Sequence, residues 1–145
     1  MRIAKALILC LLPSLATAQP VQPVQVVHQF TPSPGQPNGP LVQVPGGDFY
    51  GVTRSGIIRL TTAGQVTEVA RFHEFEPIGS LVLASDGALY GTAGVGSTFG
   101  RSTIFRFDPA TAGLRTVYTL GKQGEGWYPR GGLVPVGGAL YGVTQ

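Results

Sequence analysis

A gapped string recurs three times along this chain of 145 residues, and it restricts the possible folds more than any local propensity does. P-x-G-x-L-V appears as Pro37-Asn38-Gly39-Pro40-Leu41-Val42, as Pro77-Ile78-Gly79-Ser80-Leu81-Val82 and as Pro129-Arg130-Gly131-Gly132-Leu133-Val134. Each copy leads into a second matched string: Gly47-Asp48-Phe49-Tyr50-Gly51, Gly87-Ala88-Leu89-Tyr90-Gly91 and Gly138-Ala139-Leu140-Tyr141-Gly142. The Pro-to-Tyr distance is 13, 13 and 12 residues. Further on, Gly56-Ile57-Ile58-Arg59-Leu60 matches Thr103-Ile104-Phe105-Arg106-Phe107, and residues 66–72 match residues 114–120. The Pro-to-Pro period is 40 and then 52. The extra residues fall between Tyr90 and Arg106 and between Arg106 and Pro129, in Gly-rich stretches. Constant apolar segments joined by loops of variable length are what stacked repeats produce, because the framework packs and the connections do not.

Each unit reads as four short strands. In the second copy these are residues 81–84, 88–93, 103–107 and 114–120, where alternation and β-branched or aromatic content favour strand over helix. Pro45-Gly46-Gly47 and Ser85-Asp86-Gly87 stand where a tight hairpin needs positive φ, which glycine supplies without strain. Composition agrees. The chain has 22 glycines and 12 prolines, and charged residues make up only 12%, too few for a coiled coil, a helical bundle or a charge-driven disordered tail. A four-stranded unit of this length has the grammar of a β-propeller blade. The expected fold is therefore all-β, with β-propeller-type repeats of four short antiparallel strands in an incomplete ring of about two and a half to three blades.

The units span residues 37–76, 77–128 and, in part, 129–145, preceded by residues 19–36 with one strand at 24–30. A closed propeller needs at least four blades, roughly. The sequence thus suggests either a piece of a longer array, the preferred reading, or chains that self-associate to complete the ring.

Residues 1–18 begin with Arg2 and Lys5, continue through an apolar run and end in Ala16-Thr17-Ala18. That order is expected of a cleaved signal peptide, with the mature chain starting at Gln19 and the protein secreted or periplasmic. The apolar run is too short to span a bilayer, so no transmembrane segment is expected after cleavage. Cys10 raises a lipoprotein alternative, but Leu9 stands where a small residue belongs. Without Arg2 and Lys5, eight basic residues face seven acidic ones in no basic cluster, so nucleic acid is not an expected partner.

The units resemble the GloVer tandem repeat of exported bacterial proteins, whose pattern runs through P-x-x-x-L-V/I, D-G-x-L-Y-G-T-T, a GG-rich loop and G-T-V-F-R/K. The second copy carries the resemblance best, in Pro77, Leu81, Val82, Asp86, Gly87, Leu89, Tyr90, Gly91 and Thr92, then Thr103, Ile104, Phe105 and Arg106. The first copy departs from it by lacking the GG-rich loop. The resemblance covers about residues 26–145 and implies a propeller-like secreted repeat protein with no established activity.

Tyr50, Tyr90 and Tyr141 could form a binding ring, but repetition is also what packing produces, and these residues with Gly51, Gly91 and Gly142 are read as repeat framework. Trp127, Tyr128 and Arg130 lie outside that framework, in an expanded loop. They are the binding candidates, with a carbohydrate or a surface protein as partner; a hydrophobic plug between blades is the competing reading for Trp127. His73, Glu74, Glu76 and His28 show no metal-ligand spacing and are read as exposed polar residues. Asp48, Asp86 and Asp108 sit at turns. Residues 94–100 form a loop without a dinucleotide fingerprint, and neither G-x-S-x-G nor a P-loop occurs. No catalytic residue, metal or cofactor is assigned. The expected function is an exported, non-catalytic structural or recognition module, with a polysaccharide-active hydrolase or lyase as the rival. The rival would gain if Asp86, Glu74 and His73 met in one cleft.

Overall fold

Hairpins are the smallest units from which the architecture builds, and their turns follow from glycine placement. The structure is a computed structural model that describes residues 36–94, 102–122, 126–129 and 131–145. The expectations for residues 1–35, for most of the loop 94–100 and for Arg130 lie outside the described residues. In the first unit β1 (Val42–Gln43) runs antiparallel to β2 (Phe49–Val52), and in the second β6 (Val82–Leu83) runs antiparallel to β7 (Leu89–Gly94). Both turns close identically, with Val44 N–H donating to Asp48 O and Ala84 N–H to Ala88 O, each at 3.0 Å. Gly47 and Gly87 take φ of 97° and 77°, the left-handed conformation that such a turn imposes. In the third unit β10 (Val134–Val136) and β11 (Ala139–Tyr141) are joined by Gly137-Gly138 alone, both at positive φ. This two-residue turn removes one residue and explains the Pro-to-Tyr distance of 12.

Two further strands complete the first two sheets. β3 (Gly56–Leu60) and β4 (Val66–Arg71) give the order β1-β2-β3-β4. β8 (Ser102–Asp108) and β9 (Gly113–Thr119) extend β7, and β5 (Glu76–Pro77) pairs with the far end of β7 beside β6. All pairings are antiparallel, and the described residues contain no helix. The expected strands 88–93, 103–107 and 114–120 coincide with β7, β8 and β9 to within a residue at either end. The all-β expectation therefore holds. The repeat proline has a defined place in every unit. Pro37 bridges Thr53, Pro77 pairs with Ala93 and Pro129 bridges Thr144, so each P-x-G string returns to the end of its own unit's second strand. Each of the first two sheets also carries one bulge at the same point, between Ile57 and Ile58 and between Ile104 and Phe105. A bulge locally strengthens the right-handed twist.

The core lies between the first two sheets. On β2, Tyr50 and Val52 share a face with Ile57 of β3, and all three are buried against Leu81, Leu89, Ala93, Phe105 and Phe107 of the second unit. Tyr50 meets Phe107 with ring centroids 5.8 Å apart, and Phe72 stands edge-on to Phe105 at 4.9 Å, geometries that aromatic quadrupoles favour. The P-x-G strings stack beside one another. Asn38 Nδ2 donates to Pro77 O at 3.2 Å, and Gly79 lies so close to Gly131 that a Cβ on it would sit 3.3 Å from the Gly131 carbonyl.

Candidate functional site

Strand parity decides which polar side chains share a face with the framework tyrosine of each unit, the face toward the second sheet for Tyr50 and the face opposite the shared core for Tyr90. In the β2–β3 register Tyr50 faces Arg59, and in β7–β8 Tyr90 faces Arg106, so each repeat places one guanidinium on the face of its framework tyrosine. The hairpin turn supplies an acid to each. Asp48 Oδ2 accepts from Arg59 Nε at 2.6 Å and also pairs with Arg59 Nη2. Asp86 Oδ2 accepts from Arg106 Nε at 3.2 Å and from the Tyr90 hydroxyl at 3.0 Å, while Arg106 Nη1 reaches Asp108 Oδ2 at 3.4 Å. The two acids are not equivalent. Asp48 follows its turn and occupies the position of Ala88, whereas Asp86 lies within the turn.

These side chains line an open cleft of about 510 Å³, with Asp48, Tyr50 and Arg59 from the first unit and Asp86, Arg106 and Asp108 from the second. Three carboxylates against two guanidiniums leave it with a formal charge of about −1 near neutral pH. Asp86 is held below the usual carboxylate range, first by the Ala88 backbone N–H that it accepts at 3.1 Å, then by the Tyr90 hydroxyl and by Arg106, with desolvation opposing them. A carboxyl lowered in the folded state stabilises the fold above its unfolded pKa, and that contribution is lost as pH falls through the folded value. Melting temperature measured against pH should therefore fall on the acid side for the wild type and fall less steeply for Asp86→Asn. Identical acid limbs would remove Asp86 from the balance.

Tyr50 is 4% exposed, Tyr90 is half-buried and Tyr141 is 61% exposed, so the three framework tyrosines do not form one surface. The glycines that follow them admit large neighbours. A Cβ on Gly91 would come within 2.5 Å of Phe105 Cζ, one on Gly51 within 2.7 Å of Leu41 and one on Gly142 within 3.0 Å of Leu133. Trp127 is 49% exposed, with its ring against Gly121. Its backbone N–H donates to Gln145 O, and Gln145 N–H donates to Tyr128 O, each at 3.0 Å. Neither Trp127 nor Tyr128 lines the Asp–Arg cleft. His73 and Glu74 are exposed and also lie outside it, while Glu76 pairs with Arg54 at 3.6 Å. The convergence of Asp86, Glu74 and His73 that would favour a hydrolase is thus not formed. Among the described residues, no three His, Cys, Asp or Glu side chains gather where they could hold a metal ion.

The sequence readings did not single out Arg59 and Arg106 as a pair. The available signal was their common parity with Tyr50 and Tyr90 in matched strands, next to turns containing Asp. No curated protein matches the chain. The model of the Gloeobacter/Verrucomicrobia repeat matches residues 14–145. With its repeated proline bridges, paired hairpins and shared bulge, the chain belongs to the Gloeobacter/Verrucomicrobia repeat family.

Proposed function

We propose that this protein is an exported, non-catalytic repeat module of β-propeller type, serving structure or recognition at the cell surface or in the periplasm. The observation that carries the reading is the relation between successive units. The first two sheets pack face to face through equivalent strands, and the third hairpin follows, with β10 against β6 and the P-x-G strings side by side. Blades set radially around an axis have this relation, each with its first strand innermost. Export is supported by the order of residues 1–18 alone.

Recognition is supported by two exposed polar or aromatic features on a rigid β scaffold, the Asp–Arg cleft and the Trp127 loop. The cleft does not favour hydrolysis. A glycosidase acid must hold its proton near neutral pH, whereas Asp86 is pushed toward the ionised form and both Asp86 and Asp108 are engaged by Arg106.

Protein recovered from outside the cytoplasm should begin at Gln19 by mass spectrometry. It should be retained on insoluble polysaccharide without releasing soluble sugar, and Trp127→Ala should weaken retention without changing the melting temperature. An intracellular chain that keeps residues 1–18 would overturn export. Sugar release would replace recognition by catalysis, and lack of retention on any polysaccharide tested would remove carbohydrate as the ligand class.

A further inference from the structure

Three hairpin turns frame the Asp–Arg cleft, those joining β1 to β2, β6 to β7 and β8 to β9, so both of its walls belong to the first two sheets. Turns tied into ladders hold their side chains in place before any ligand arrives, which lowers the ordering cost of binding. The backbone aims two of the acids. Asp86 Oδ1 accepts from the Ala88 N–H at 3.1 Å and Asp108 Oδ1 from the Ala110 N–H at 3.0 Å. At about 510 Å³ the space falls within the range of small-ligand sites, and its open form admits a stretch of a longer chain.

Charge narrows the class of ligand. Every carboxylate in the cleft already holds a guanidinium, Asp48 that of Arg59 at 2.6 Å, and Asp86 and Asp108 that of Arg106 at 3.2 and 3.4 Å. A cationic ligand would have to displace one of these intramolecular cations. An anionic one would have to draw a guanidinium away from its acid, against a formal charge of about −1. A neutral ligand does neither. Arg59 engages Asp48 through Nε and Nη2, and Arg106 engages its two acids through Nε and Nη1, so each five-donor fork keeps further N–H groups beside the lone pairs of its carboxylate. The group that uses both at one atom is a hydroxyl, which donates to the carboxylate and accepts from the guanidinium in charge-assisted bonds. Val44, Pro45, Pro109 and Ala110 add apolar lining on which C–H faces can rest. We propose that the cleft binds a neutral polysaccharide, its vicinal hydroxyls meeting the Asp48–Arg59 pair on one wall and the Asp108–Arg106 pair on the other. The inference rests on the recognition reading above and gives it a ligand class and a place.

Isothermal titration calorimetry of the full chain at physiological salt should detect binding of a soluble neutral polysaccharide among a β-glucan, a galactomannan and a dextran. Polygalacturonate and chitosan oligomers, the acidic and basic probes, should bind more weakly. Arg59→Gln should weaken the neutral complex about tenfold or more, as loss of hydrogen bonds to a charged group does. As a test that leaves both ion pairs intact, Ala110→Trp should fill the cleft and block binding, because Ala110 is exposed and its backbone N–H can still reach Asp108. Binding that survives both variants but is lost in Trp127→Ala would overturn the cleft as the site while leaving recognition standing. Tighter binding of polygalacturonate or chitosan would overturn the neutral ligand class. Absence of binding to all three neutral polymers would overturn the proposal, and absence of binding to every probe would remove carbohydrate recognition with it.

Discussion

Phe107→Ala is expected to lower the unfolding free energy by about 4 kcal/mol, among the largest effects of truncating any described residue. Phe107 is fully buried, pairs with Leu89 on one side and Leu114 on the other, and meets the Tyr50 ring across the sheet junction. Truncation removes the transfer energy of the ring and leaves a cavity that two sheets held by their own ladders cannot collapse to fill. Against a domain stability of roughly 5–15 kcal/mol, the loss is a large fraction of the total. Phe107→Leu keeps most of the apolar volume and should cost about 1.5 kcal/mol. Urea titration would measure both as shifts of midpoint at constant slope. An alanine effect under about 1 kcal/mol would mean that the two sheets do not share this core.

Gly56→Ala comes next, at about 3 kcal/mol, for the opposite reason. The first unit connects β2 to β3 by a tight turn in which Thr53 N–H donates to Gly56 O at 2.9 Å and Gly56 N–H donates to Thr53 Oγ1 at 3.1 Å. A methyl group on Gly56 would fall inside contact distance of the Ala70 carbonyl oxygen and 3.3 Å from its carbonyl carbon. Both are main-chain atoms of β4 beside the bulge, so relief requires moving a strand rather than rotating a side chain. By contrast, Gly87→Ala meets no atom within 4 Å and strains only its backbone at φ 77°. It should cost closer to 1 kcal/mol, roughly. Thermal melts of the two variants side by side would test the ranking, and equal losses would mean that β4 yields.

The repeat was legible because its letters have mechanical roles. The proline marks the bridge back to the second strand, and the alternation in residues 103–107 spells out which side chains of β8 enter the core. The pairing of β5 with β7 was not legible, because Glu76-Pro77 lacks alternation and proline reads as a breaker. Nor was the positive φ of Ala112, at 55°, since alanine gives no sign of it. The cleft was hidden for a different reason. Its acids occupy non-equivalent positions in the two repeats, so matching the strings conceals the common product, an arginine held by a turn aspartate. It exists only where the rims of two sheets meet, which is a tertiary fact. Likewise, identical Tyr-Gly strings carry no record of burial. Whether a tyrosine is covered depends on the neighbouring sheet, present over Tyr50 and lacking over Tyr141 among the described residues.

The matching bulges in the β3–β4 and β8–β9 ladders, where Val69 of β4 and Val117 of β9 are the extra residues, have a consequence for growth of the array. Two saddle-shaped surfaces nest without gaps only if they are warped to the same degree, and a kink at the same rung of each ladder gives both sheets that common shape. Units that carry the kink therefore present the same backbone shape at the junction, whatever the length of their outer connections. Drift in loop length, as between the 40- and 52-residue periods, then leaves the backbone fit of the sheets untouched.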